Sequence, residues 1–97
     1  MKNFVLINPF EVPEDMDDDR FLEGWGRAAD YMRSRPGFVA SRLHRVLSPN
    51  PRFRFVNVAE WESPQYFQAA VGSPEFQAMA EGTPPNHPAL YEVVRVV

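Results

Sequence analysis

The sequence predicts an α+β fold in which four antiparallel strands and two helical regions follow the order β-α-β-β-α-β. Three observations carry that prediction. The chain has 97 residues, one domain's length, and 44% of them are apolar, which suits a globular core. Short β-rich runs alternate with helical apolar stripes. Pro and Gly punctuate most of the boundaries between them. The order is that of a split βαβ unit, whose helices cover one face of a four-stranded sheet. No repeat, linker or low-complexity segment interrupts it, so residues 1–97 read as a single domain.

Phe4 to Phe10 is short and β-rich and reads as the first strand. The acidic run Glu14-Asp15-Met16-Asp17-Asp18-Asp19 follows, and its carboxylates suit the positive end of a helix starting near Asp17–Asp19. Phe21, Trp25, Ala28, Ala29 and Met32 then form one apolar stripe. Gly24 and Gly26 each cost roughly 1 kcal/mol against Ala inside a helix, which predicts a close neighbour there. Pro36-Gly37 ends the helix. Phe38 to Leu47 and Phe53 to Trp61 read as a hairpin across the turn Ser48-Pro49-Asn50-Pro51. Ser63-Pro64 and Ser73-Pro74 each combine a capping Ser with Pro at the first helical position. They predict helical pieces over 64–71 and 74–81, broken at Gly72. A loop rich in breakers spans 82–88, and Leu90 to Val97 reads as the last strand.

A sheet with one solvated face alternates cleanly between apolar and polar residues. These strands do not. Phe4, Leu6, Asn8 and Phe10 oppose Val5, Ile7 and Pro9, so both sides of the first strand are largely apolar. Tyr91, Val93, Arg95 and Val97 oppose Leu90, Glu92, Val94 and Val96 in the last. The far face therefore calls for a cover, and a second copy of the chain, a homodimer, supplies it most simply.

Composition narrows the function classes. The net charge of −3 gives no strong positive field for nucleic acid or anionic lipid. With no cysteine there are no disulfides, thiolate metal sites or Cys nucleophiles. The two histidines are far apart and neither has a second ligand at helical spacing, so no metal site is expected. The N-terminal apolar run is too short for a signal peptide or a membrane helix, and the expected location is cytoplasmic. The Phe53-Arg54-Phe55 stretch echoes the aromatic strand of RNA-recognition domains. Arg52, Arg54 and the acidic balance argue against nucleic acid as a partner.

Asn57 and Trp61 share a parity on the third strand, about 13 Å apart by strand rise. Asn8 adds a second amide on the helix-facing side of the first strand. An amide inside an apolar run needs hydrogen-bond partners. Two amides and an indole converging on an apolar interior fit a ligand cavity with a few polar groups on greasy walls.

The segments Ile7-Asn8-Pro9-Phe10-Glu11-Val12-Pro13, Pro36-Gly37-Phe38 with Leu43, and Ser73-Pro74-Glu75-Phe76 carry a resemblance that runs almost end to end. With Asn57-Val58-Ala59-Glu60-Trp61-Glu62-Ser63-Pro64 and Phe67, the sequence resembles the antibiotic biosynthesis monooxygenase family. The resemblance implies a ferredoxin-like subunit that pairs into a dimeric α+β barrel. It also implies cofactor-independent oxygenation of a small phenol- or anthrone-like aromatic by dioxygen. In that reading Asn57, Trp61 and Asn8 are the catalytic donors, and Phe21, Trp25, Phe67 and His44 contact the substrate. Phe67 stands where the quinone-forming branch has Tyr. In the haem-degrading branch, Asn8 matches a strand Asn, but Ala70 and Ala80 stand in place of its Trp and axial His, so no cofactor is expected. The alternative is a dimeric protein that binds a small apolar metabolite without turning it over.

Overall fold

The computed structural model describes residues 3–49 and 52–97. The elements run β1 (Phe4–Phe10), α1 (Asp18–Arg33), β2 (Phe38–Arg45), β3 (Phe55–Trp61), α2 (Pro64–Val71), α3 (Pro74–Ala80) and β4 (Ala89–Glu92). All four strands pair antiparallel in the order β2-β3-β1-β4, giving a ferredoxin-like α+β fold.

Capping chemistry sets the helix starts. Asp17 caps α1 by accepting the Arg20 N–H at 2.8 Å, with Asp18 and Asp19 in the first turn. Ser63 and Ser73 accept the Tyr66 and Phe76 N–H groups at 3.4 and 3.2 Å, and Pro follows each. Gly72 is the C-cap that separates α2 from α3. Gly37 turns the chain from α1 into β2 with φ of 83°, and a Cβ there would lie 2.2 Å from the Tyr66 ring, so only glycine fits.

Four expectations need correction. β2 stops at Arg45 and β3 begins at Phe55, with one further bond, Val46 N–H to Arg54 O at 2.9 Å, beyond them; Asn50 and Pro51 of the expected turn lie outside the described residues, as do Met1 and Lys2. β4 stops at Glu92, since Phe4, at the start of β1, is its last ladder partner. Beyond it Val94, Val96 and Val97 are largely exposed. α3 ends at Ala80, one residue early. Nothing packs tightly on the helical glycines: a Cβ at Gly26 would meet nothing within 4 Å, and one at Gly24 only the end of the Arg27 side chain at 3.7 Å.

The core lies on the helix-facing side of the sheet. Leu6, Phe10, Phe55, Ala59 and Trp61 of β1 and β3 are buried there. One cluster joins Leu6, Ala59, Trp61 and Ala70; the other joins Phe10, Phe21 and Phe55, with Phe21 stacked on Phe55 at 4.5 Å. Phe55 is thereby occupied by a helix rather than offered for base stacking. The gap between the two clusters becomes the site.

Candidate active site

Asn57 sits between Phe55 and Ala59 on the inner face of β3, directly opposite Asn8 on β1. Ser41 on β2 completes a polar band across that face, its hydroxyl donating to Asn57 Oδ1 at 2.6 Å. Above the band, between the sheet and helices α1 and α3, is a cavity of about 720 Å³. That volume falls within the range of small-molecule sites. Asn57, Trp61, Asn8, Phe21, Trp25 and Phe67 all line it. Met16, Met32 and Phe76 add apolar wall, and Gly24 leaves space on the α1 side.

Trp61 is 2% exposed and meets Phe38 and Phe67 edge-on at 5.4 and 5.9 Å. Its indole Nε1–H is buried with no partner among the described residues. A buried donor left unpaired costs about 1–3 kcal/mol, so its retention calls for a reason outside packing.

Asn8 differs from Asn57. Its Nδ2 donates to Asn86 Oδ1 at 3.3 Å and its Oδ1 accepts the His87 N–H at 3.0 Å. Asn86 Nδ2 in turn donates to Pro84 O at 2.9 Å. Asn8 thus ties down the loop 82–88, whose Gly82, Thr83, Pro84 and Asn86 form one wall of the cavity. The Glu11 N–H donates to Pro85 O at 2.8 Å, and the His87 N–H also reaches Pro9 O at 3.1 Å. Outside the wall, His87 Nε2 meets Glu11 Oε2 at 2.6 Å and Arg52 donates to Glu11 Oε1 at 3.3 Å. The His87 hydrogen bond, aided by Arg52, holds the Glu11 carboxyl below its ordinary range against an opposing pull from desolvation.

His44 is not at the cavity. Unbroken alternation from Phe38 would put it on the inner face, but the register shifts by one residue between Phe38 and Ala40. Ser41 and Leu43 therefore face inward, and His44, paired with Val56, faces outward beside Arg42. Its Nδ1 lies 3.3 Å from Val56 O. Ser41 is the site residue that sequence reasoning missed, and the same bulge hides it.

The opposite face of the sheet carries Val5, Ile7, Pro9, Val56 and Val58, with Tyr91 half exposed at its edge. No element of the described chain covers it.

The donor set can be tested against haem. No His, Cys or Tyr is among the described residues that line the cavity. Ala80 lies on its wall where the haem-degrading resemblance calls for a His, and Ala70 is buried in the core. The residues present do not fit axial ligation of haem by those groups. Among the described residues no three His, Asp or Glu side chains come together as a metal site, and no helix is long and apolar enough to cross a membrane.

The model of the family described as antibiotic biosynthesis monooxygenase matches residues 3–82. A candidate monooxygenase from Shewanella loihica PV-4 is 35% identical over 96% of this chain and 95% of its own, with a TM-score of 0.83. SnoaB, a cofactor-independent oxygenase from Streptomyces nogalater, shares the fold at 22% identity, 100% and 98% coverage and a TM-score of 0.81. The haem-degrader MhuD from Mycobacterium tuberculosis, which has two haems bound in its active site, is 28% identical over 97% and 98%, with a TM-score of 0.69. No functionally curated protein matches the sequence.

Proposed function

From the premise that the chain belongs to the antibiotic biosynthesis monooxygenase family, we propose that it oxidises a phenol- or anthrone-like aromatic with dioxygen, without a resident cofactor. The observation that carries this reading is a largely apolar cavity with the Trp61 ring among its lining residues and, on the same wall, an Asn57 NH2 that has no protein acceptor among the described residues. Along β3 the two residues lie about 13 Å apart, so they cannot share one oxyanion.

The chemistry needs no external reductant. An anthrone methylene loses a proton to give a carbanion stabilised by the neighbouring carbonyl, which becomes an enolate oxygen. The carbanion passes one electron to dioxygen, and the radical pair combines into a peroxide that is protonated. Loss of water then leaves a new carbonyl, so CH2 and O2 become C=O and H2O. Carbon gives up four electrons and dioxygen gains four. The protein's part is to exclude water and place donors at the developing oxyanion. Asn57 Nδ2 is the donor open to the cavity, Trp61 Nε1–H becomes one only on a side-chain shift, and Phe21, Trp25 and Phe67 hold the rings. Asn8 acts by fixing the loop 82–88 that closes one side. Glu23 and Glu81 are the carboxylates among the described lining residues, and both are exposed, so the proton departs toward that rim.

The uncovered apolar face of the sheet supports a homodimer joined through it. The catalytic reading is tested with chelator-treated protein and anthrone under air, following anthraquinone formation. Turnover that falls at least tenfold in Asn57→Ala and Trp61→Ala is the expected result. Binding without turnover would instead favour a carrier of small apolar metabolites.

A further inference from the structure

We propose that Ser41 is a positioning residue: its hydroxyl restrains the Asn57 carboxamide on the cavity wall, in the orientation that turns the NH2 toward a substrate's acceptor oxygen. The inference rests on the oxygenase reading for its functional consequence, and on the hydrogen-bond geometry for its physical content.

A carboxamide carries an acceptor at one end and donors at the other, and nothing intrinsic decides which end faces a ligand. A serine hydroxyl can donate to the oxygen or accept from the NH2, so Ser41 restrains rotation, and in this structure it takes the oxygen end. Its Cα lies opposite Ala59, one inward position along from the Leu43–Asn57 pair, and its Oγ is 2.6 Å from Asn57 Oδ1. Oδ1 only accepts, so the single hydroxyl hydrogen of Ser41 is used in this bond. Asn8, the cross-strand neighbour of Asn57, does not compete, because Asn86 and His87 engage both ends of its amide. Asn57 Nδ2 has no protein acceptor among the described residues and stays available to the cavity.

One donor, Asn57 Nδ2, then stands open on the β3 wall. A carbonyl that becomes an enolate oxygen gains charge during deprotonation, and a fixed donor stabilises it more in the transition state than in the ground state. An amide free to rotate would present its own oxygen part of the time and repel that charge. Losing Ser41 should therefore reduce kcat more than it raises KM.

The test begins with the amide itself. The side-chain NH2 pair of Asn57 is identified in a 15N–1H spectrum by its loss in Asn57→Ala. We expect Ser41→Ala to shift and broaden that pair and Ser41→Thr to preserve it, with thermal melts confirming that each variant folds. With anthrone, Ser41→Ala should lower kcat about tenfold while KM changes less than about threefold, and Ser41→Thr should recover most of the rate. In an Asn57→Ala background, Ser41→Ala should cost nothing further, because Ser41 acts through Asn57. An NH2 pair unmoved by Ser41→Ala would overturn the proposal. So would a kinetic effect undiminished in the Asn57→Ala background. If the wild type fails to oxidise anthrone, the oxygenase reading falls, and the NH2 pair alone decides whether Ser41 fixes Asn57.

Discussion

Replacing Trp61 with Phe separates the catalytic account from a packing account. Trp61 is buried against Phe38, Phe67, Leu6 and Ala70, and its indole N–H has no partner among the described residues. Phe retains the edge-on contacts but loses about three heavy atoms, which costs roughly 2 kcal/mol in transfer and cavity terms. The substitution also removes an unpaired buried donor whose desolvation costs about 1–3 kcal/mol. These terms oppose each other and are of similar size, so Trp61→Phe should leave stability within about 1 kcal/mol of wild type. If ligand binding brings the indole N–H into reach of a developing oxyanion, activity should behave differently, because removing one such donor typically costs about 10²–10³ in kcat. Urea unfolding followed by circular dichroism measures the first quantity and anthraquinone formation the second. A variant destabilised by more than about 3 kcal/mol would show that the indole is held by packing alone. A stable variant with full activity would remove the N–H from the mechanism.

Three further outcomes follow from the same geometry. Phe21→Ala deletes the ring stacked on Phe55 and edge-on to Phe10 at 5.1 Å, and should lower unfolding free energy by about 3–5 kcal/mol, read from the urea midpoint; a loss below about 1 kcal/mol would mean that the cluster collapses freely. Glu11 is bound to His87 and Arg52, so its carboxyl is depressed in the folded protein and the unfolded chain takes up the proton first as pH falls. Its stabilisation is complete above the ordinary carboxylate range and is lost as pH drops through the lower folded value. The melting-temperature gap between wild type and Glu11→Gln should therefore close in strong acid, and a gap unchanged there would contradict the assignment. Ile7→Arg places charge between Val58 and Ala89 in the apolar part of the outer face, and sedimentation should show the dimer giving way to monomer; a persistent dimer would put the interface elsewhere.

The local signals in this chain were strong where they depended on near neighbours. The run Phe4–Phe10, the two Ser-Pro caps and the break at Gly72 are legible because caps and φ restrictions act within a turn. Element ends were less so: β4 reads as running to Val97, yet it ends where its partner strand begins, a fact of register and not of composition. The cavity residues on β1 and β3 followed from parity alone, since neither strand carries a bulge between them. On β2 a single extra residue near Val39 reverses every later side chain, sending His44 outward and bringing Ser41 inward. Parity puts Asn8 on the cavity side of β1, but its partner Asn86 is 78 positions away, and no local pattern reveals that pairing.

The apolar wall, the fixed loop and the Asn57 donor converge on one claim, that dioxygen itself oxidises a ligand held between sheet and helices. Isotope labelling tests it most directly. Chelator-treated, haem-free protein is given anthrone under 18O2 in ordinary water, and the quinone is weighed by mass spectrometry. One labelled atom in the new carbonyl, formed faster than without protein and lost in Asn57→Ala, is the predicted result. An unlabelled carbonyl, or a rate equal to the uncatalysed one, would contradict it.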